Sequence, residues 1–577
     1  MSGDLLTFEM ATATEGDPSI MLAKNWLNIL DNQSQNYTGN QIIIDTSQLC
    51  NSNKYLNYRE AYLMIPLLIT LTTETKNPTN VFDPTNSEQS ADYAFGLKNW
   101  IGSIVHSFSL DLQGTTIVQL TPYCGLWNSF KLMTSLSYND LLTQYSSIGF
   151  YPDSALSVKY NTAPSAQGQG TCNNNNYFTP TVVSGANNTY NNFNYGFLMR
   201  QQAFNYDPAT NPLLTAKYCN QLYKSYIFNK VASSSTSGGC VQQAVMGCLY
   251  LKHLHDFFQN IPLLKGLYLR FTLNINQPSI TFNVQQYVPA VIDPTTGAVT
   301  TPEIPASLSV VSMTNPLNGV SPLMIASAQP DNGSANLPSG NYILSLCVGA
   351  TCLNSAQKGL GCVQQAPLAQ SVTLNVPAYS FAPTFEQSYL SNPVKKIVYE
   401  DIYQYYIPEV RPDQTMNVLA TNGISNIHKV LLLPYFYPDA DNGNMNPIQS
   451  PFEGSGAGPT SPYALIGQFQ IQISGQNQLY NTYQYSYNEF LQQLYGINAV
   501  NSGMTDGLTS GLLSQIDFET NYCYYVVQAD RRLAVENLIP MSVQVLGQNC
   551  SSKSIQVYVF ISYGVEVSID AITGARV

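Results

Sequence analysis

Hydrophobic positions along this chain recur mostly with period two, the mark of half-buried strands. Leu267, Leu269, Phe271, Leu273 and Ile275 alternate with Tyr268, Arg270, Thr272 and Asn274. Met541, Val543 and Val545 repeat the pattern. So do Ile555, Val557, Val559 and Ile561, where Tyr558 and Phe560 on the opposite face predict a strand covered on both sides. Stretches rich in Asn, Gly, Pro and Ser separate the runs at 162–194, 284–342 and 438–461, and are expected to be loops. Helical spacing is rare. One candidate covers 126–136, and a second, 253–260, precedes Pro262. A third opens at Ser486, where Ser-Tyr-Asn-Glu has the form of a capping box and Phe490, Leu491 and Leu494 share a face.

These elements recur in order. YLMIPLL, with Pro66, is followed by FSLDLQG from Phe108 to Gly114 and then by the aromatic helical segment WNSFKLM. VLLLPYF, with Pro434, is followed at similar distance by FQIQISG from Phe469 to Gly475 and then by YNEFLQQL. Three landmarks in one order predict two copies of a single β-domain, joined near 385–397. An all-β unit of about 200 residues with short strands and long end loops is most economically a sandwich or jelly roll.

At 577 residues the chain exceeds the size of one hydrophobic core. Charged residues make up 10%, against about 25% in an average soluble domain, so Asn, Gln, Ser, Thr and Tyr must solvate the surface. Forty tyrosines suit extended protein contacts, and the surface reads as one built to be covered by copies of itself. The formal charge of -12, without a Lys/Arg-rich arm, argues against direct, strong nucleic-acid binding. The start shows no secretory pattern, and the longest apolar run, Ala61 to Leu71, is too short for a membrane-spanning helix, so the chain is expected in the cytosol. Eleven cysteines without a CxxC pair fit reduced thiols.

Candidate chemistry is sparse. His253, His255 and Asp256 have metal-ligand character, yet Phe257 and Phe258 predict a turn or short helix packed on the core, with the two histidines diverging. His106 and His428 each stand alone in apolar strand patterns and read as structural. Cys347, Cys352 and Cys362 lie close together, but at a spacing that fits no zinc finger or ribbon. Asp439, Asp441 and Gly443 hint at a calcium loop, but the glycine is misplaced and Ser450 stands where a bidentate Glu is needed, so an Asn/Asp/Gly turn explains them. The glycine-rich segment 453–461 lacks the Lys-Ser/Thr ending of a phosphate cradle. Lys395-Lys396 and Asp530-Arg531-Arg532 read as subunit or rim contacts, or as solvated charge. No residue is assigned as catalytic, cofactor-binding or metal-ligating, and no cofactor is expected.

Six passages carry a family resemblance: LKHLHDFFQNIPLLKGLYLRFTL, VPAYSFAPTFEQSYLSNPVKKIVYEDIYQYYI, ATNGISNIHKVLLLPYF, FQIQISGQNQLYNTYQYSYNEF, SGLLSQIDFETNYCYYVVQADRR and VYVFISYGVEVSID. Through them the chain resembles the double jelly-roll major capsid proteins of virophages, polinton-like viruses and the adenovirus and tailless membrane-phage lineage. The resemblance implies an all-β fold of two tandem jelly rolls with long loop insertions and a few short helices. An N-terminal arm would span 1–30, the first roll 31–390 with insertions near 150–245 and 284–370, and the second roll 391–577. It further implies a non-enzymatic homotrimer, pseudo-hexagonal in outline, tiling an icosahedral virion beside neighbouring capsomers, penton and minor capsid proteins. Synthesis and assembly would take place in the host cytoplasm or a viral factory. A glycan-binding β-sandwich appendage or adhesin is the alternative, favoured by the tyrosines and Asn-rich loops and opposed by the missing signal and free cysteines. A carbohydrate-active β-sandwich enzyme shares only the fold class, and no carboxylate pair is marked. The repeated landmark order favours the capsid reading.

Overall fold

A computed structural model of the chain describes residues 20–33, 35–73, 95–152, 240–285, 290–302, 307–314, 321–325, 340–349, 371–437, 464–480, 485–495, 510–520, 522–529 and 538–577. Eight strands organise the first half: β1 (Met21–Leu30), β2 (Gln41–Asp45), β3 (Tyr62–Thr73), β4 (Val105–Leu112), β5 (Thr115–Pro122), β6 (Cys240–Tyr250), β7 (Leu269–Ile275) and β8 (Thr373–Phe381). Eight more organise the second: β9 (Val394–Val410), β10 (Thr415–Ile424), β11 (Ile427–Phe436), β12 (Ile466–Ile473), β13 (Gln476–Asn477), β14 (Tyr525–Gln528), β15 (Met541–Asn549) and β16 (Ile555–Asp570).

In the first half the sheets run β1-β8-β3-β6 and β2-β7-β4-β5, and in the second β9-β16-β11-β14 and β10-β15-β12-β13. Counted within each half, both have the order 1-8-3-6 over 2-7-4-5, and these pairings are antiparallel. This is the strand order of a jelly roll, present twice.

The repeated landmarks fall on equivalent places. Pro66 lies in β3 and Pro434 in β11, the third strand of each roll. On one edge of β3 the partner changes between Met64, paired with Thr373, and Leu67, paired with Val348. On one edge of β11 the pairing with β14 ends at Leu432. Each proline thus stands at a break or an end of the residue pairing on one edge of its strand, where its missing N–H breaks no ladder, although the Pro66 carbonyl still accepts the Gly349 N–H at 2.7 Å. FSLDLQG and FQIQISG both end in a two-residue hairpin turn. Gln113 and Gly114 have φ of 49° and 80°, and Ser474 and Gly475 have 52° and 80°, the two positive values that a type I′ turn requires. A Cβ on either glycine meets nothing within 4 Å, so Gly114→Ala and Gly475→Ala should each lower stability through the backbone alone, by about 1 kcal/mol. Lying in different rolls, the two losses should add in urea titrations of the double variant.

The third landmark is a helix in each roll: α1 (Cys124–Ser135) after β5 and, later, Tyr487–Tyr495 after β13. The 253–260 candidate is two short helices, α2 (Leu251–Leu254) and α3 (Phe257–Asn260), parted at His255. A further helix, α4 (Pro383–Leu390), lies between the rolls, so the post-β13 helix is α5. The capping box at its start is half made: the Glu489 N–H donates to Ser486 Oγ at 3.3 Å, but Glu489 Oε1 is buried without a partner. Alternating burial in β7 and β15, and burial on both faces of β16 from Ile555 to Ser562, match the periodicity.

Two expectations need correction. Residues 21–30 are not an arm, because β1 is the first strand of the first roll, paired with β8 from Met21 to Leu30. Nor is 284–342 all loop: Ser307–Thr314 pairs with Ser279–Gln285, and Gly340–Val348 joins both that strand and the end of β3. The strand SLSVVSMT is too rich in Ser and Thr for alternation to stand out in sequence. The segments 162–194 and 438–461 lie outside the described residues.

Candidate functional site

Among the described residues the apolar core runs as one cluster through both rolls, and aromatic and polar contacts line the seam between them. On α1 and the residue before it, Tyr123, Trp127 and Phe130 follow helical spacing and share one face. Each meets an aromatic ring of the second roll: Tyr123 with Tyr558 at 4.7 Å between centroids, Trp127 with Phe560 at 6.3 Å and Phe130 with Tyr524 at 5.1 Å. Pairs of this geometry add about 0.5–1.5 kcal/mol each beyond the area they bury.

Hydrogen bonds cross the same seam. Thr121 Oγ1 donates to the Ile402 carbonyl at 3.0 Å, and the Tyr399 hydroxyl to the Ile117 carbonyl at 2.8 Å. Asp256 Oδ2 accepts the Glu400 N–H at 2.9 Å, while Lys131 Nζ lies 3.4 Å from its other oxygen. Leu512 N–H donates to the Met133 carbonyl at 2.9 Å and Lys265 N–H to the Ala571 carbonyl at 3.1 Å.

His255 and Asp401 form a buried pair at the centre. His255 Nδ1 accepts the Phe257 N–H at 3.2 Å, so Nε2 carries the ring proton and faces Asp401 Oδ1 at 3.4 Å. Asp401 also accepts its neighbour Ile402 N–H at 2.8 Å and the Tyr563 hydroxyl at 3.1 Å. The pair ties a loop of the first roll to two strands of the second, and its neighbours Phe108 and Tyr399 are structural aromatics.

His253 turns the other way, into the rings of Tyr145, Trp100 and Tyr250. The two histidines therefore diverge, and among the described residues no group of three His, Cys, Asp or Glu side chains is placed to hold a metal. His428 is not alone, as its strand pattern suggested: Nδ1 lies 3.0 Å from Glu400 Oε1. Burial works to raise the Glu400 carboxyl, but the bond to His428 and the charges of Lys429 and Lys131 outweigh it and hold the group below its ordinary value. Cys50, Cys124, Cys248, Cys523 and Cys550 are free thiols, whereas Cys347 is disulfide-bonded, which corrects the expectation of reduced thiols at that position. A sulfur held in a disulfide is no thiolate ligand, so Cys347 is not a zinc ligand. Cys352, Cys362, Asp439, Asp441, Gly443, Ser450, the 453–461 segment and Asp530–Arg532 lie outside the described residues. Of the lysine pair, Lys395 Nζ donates to the Tyr389 carbonyl at 3.0 Å and Lys396 Nζ reaches Glu566 at 2.7 Å, so both serve contacts within the chain.

Burial lowers His106 to about 4, and burial together with the charges of Lys252 and Lys131 lowers His253 to about 3. Unfolded chains protonate both rings from about pH 6.5 downward while the folded chain does not, so stability falls as pH drops below that point until the folded values are passed. Between pH 6.5 and 5, above most carboxylates, the His106→Gln/His253→Gln variant should show a flatter slope of unfolding free energy against pH. An unchanged slope contradicts the assignment.

The outward surfaces are unlike the seam. Among the described residues β1 pairs only with β8, and β9 only with β16, so each roll ends there on its own first strand. Both edges display apolar side chains: Leu22, Trp26 and Leu30 on β1, and Val398, Tyr403 and Tyr406 on β9. An open edge bearing large apolar side chains is a pairing and aggregation hazard unless another chain covers it. No helix among the described residues is long and apolar enough to cross a membrane.

No family model matches the chain, and no curated protein matches it in sequence. Viral structures are among the solved ones with a similar chain path. A chain of the Sputnik virophage, solved by cryo-EM, is 12% identical with a TM-score of 0.45, over 97% of this chain and 89% of that one. The Faustovirus major capsid protein is 8% identical with a TM-score of 0.43, over 96% and 91%. The mavirus major capsid protein is 10% identical with a TM-score of 0.41, over 98% and 92%, and the jelly-roll assignment itself stands on the strand order.

Proposed function

We propose that this chain is a major capsid protein, a non-enzymatic building block that forms a homotrimer and tiles an icosahedral virion. The observation that carries the reading is the exact repetition of strand order in two rolls locked by one seam, each ending on an exposed apolar first strand. Two similar bodies repeated by a three-fold axis give a six-sided unit with few distinct contacts, which is the economy a closed shell needs. The tyrosine-rich, charge-poor surface suits such contacts, and the net charge of -12 supports no direct role in holding nucleic acid. In this reading the chain divides near 390, after α4, and the insertions near 150–245 and 284–370 distinguish its outer surface. Neighbouring capsomers, penton and minor capsid proteins are its partners, and it is made and assembled in the host cytoplasm or a viral factory. Light scattering on the purified full chain at micromolar concentration should give a mass three times 63.5 kDa. A stable monomer contradicts the proposal.

A further inference from the structure

A cleft of about 370 Å³ opens in the first roll, between α1, α2 and the segment leading into β3. Arg59, Lys131 and Lys252 line it from three different elements, with Asp140 as the acidic residue in the lining. Arg59 is exposed and the two lysines are half-buried. Lys131 is drawn toward Asp256 at 3.4 Å. Lys252 Nζ lies over the Tyr250 ring at 5.3 Å, and neither it nor the Arg59 guanidinium has a carboxylate in ion-pair range among the described residues.

Nearby acids are engaged elsewhere. Glu60 takes Lys24 Nζ at 2.7 Å, the Tyr379 hydroxyl at 3.0 Å and Asn57 Nδ2 at 3.1 Å. Asp140 accepts the Ser137 hydroxyl at 2.7 Å and its N–H at 3.2 Å. Burial and the charge of Arg59 lower the Lys252 ammonium, against a smaller pull from Glu60. His253, in the same lining, is neutral at pH 7 and adds no charge. Three cations thus gather in one cleft of a chain with net charge -12, two of them outside any ion pair among the described residues, and such a concave patch of one sign attracts anions.

We propose that this cleft binds a small polyanion of the phosphate class, held by the Arg59 fork and the ammonium groups of Lys252 and Lys131. Its volume falls within the range of about 300–1,000 Å³ typical of small-molecule sites. A guanidinium beside two ammonium groups matches several phosphoryl oxygens better than it matches a single carboxylate. A ligand that binds only the folded chain raises its thermal midpoint by mass action.

The test uses the full-length protein with sodium tripolyphosphate, in calorimetric titration and thermal melts, against sodium chloride at matched ionic strength. Saturable binding and a raised midpoint are expected. Arg59→Gln and Lys252→Gln should each weaken binding about tenfold, the equivalent of one charge-assisted bond, while leaving the fold intact because both side chains reach solvent. No heat or shift beyond the chloride control, or an undiminished response in both variants, overturns the site. A duplex DNA fragment giving the same variant-sensitive response overturns the small-ligand assignment.

Discussion

Asp401→Ala is expected to lower the unfolding free energy by about 3–5 kcal/mol, as buried donors left without an acceptor lose about 1–3 kcal/mol each. Three donors converge on this carboxyl: the Ile402 N–H at 2.8 Å, the Tyr563 hydroxyl at 3.1 Å and His255 Nε2 at the longer distance of 3.4 Å. The His255 and Asp401 side chains are both buried, so water does not readily replace the lost acceptor. Asp401→Asn keeps an oxygen for His255 and Ile402 and presents an NH₂ toward the Tyr563 oxygen, so it should lose much less, about 1 kcal/mol. Urea denaturation of the three proteins distinguishes a seam held at this point from one held elsewhere. Equal, small losses in both variants contradict the geometry.

Gly511→Ala should be nearly as damaging, with a loss of about 3 kcal/mol, and for a different reason. Gly511 has φ of 68°, a region that costs other residues about 1–2 kcal/mol. Its ideal Cβ lies 2.5 Å from the Met133 carbonyl oxygen and 2.5 Å from the Thr134 carbonyl carbon. Those are backbone atoms at the end of α1, and no side-chain rotation can yield. The neighbouring Leu512 N–H bonds the same Met133 carbonyl, so relief requires pulling the second roll off the helix. Gly423→Ala is the control: its Cβ meets nothing within 4 Å, and a strand glycine without positive φ gains from reduced unfolded-state entropy. Thermal melts should place Gly511→Ala far below wild type and Gly423→Ala at or above it. Matching melting points for the two variants contradict the close approach.

Much of the fold was legible because the landmarks are local. Pro66 and Pro434 mark breaks or ends in the pairing along one edge of their strands, Gly114 and Gly475 mark positive-φ turns, and alternation marks β7 and β15. β1 escaped because most of its side chains are exposed, so MLAKNWLNIL shows no alternation and its pairing partner lies some 350 residues away. The 253–260 helix escaped in detail because His255 leaves it to meet Asp401, 146 positions further on. The seam as a whole belongs to this class: Trp127 with Phe560 and Tyr399 with Ile117 are pairings that no window of sequence contains. Arg59, Lys131 and Lys252 are isolated cations in the chain and become a cluster only when folded.

The most direct test of the capsid reading is electron microscopy of the purified full-length protein by negative stain. Three-fold particles of six-lobed outline, some joined edge to edge into plates, are the predicted result. Fields of isolated two-lobed monomers at concentrations well above micromolar contradict it.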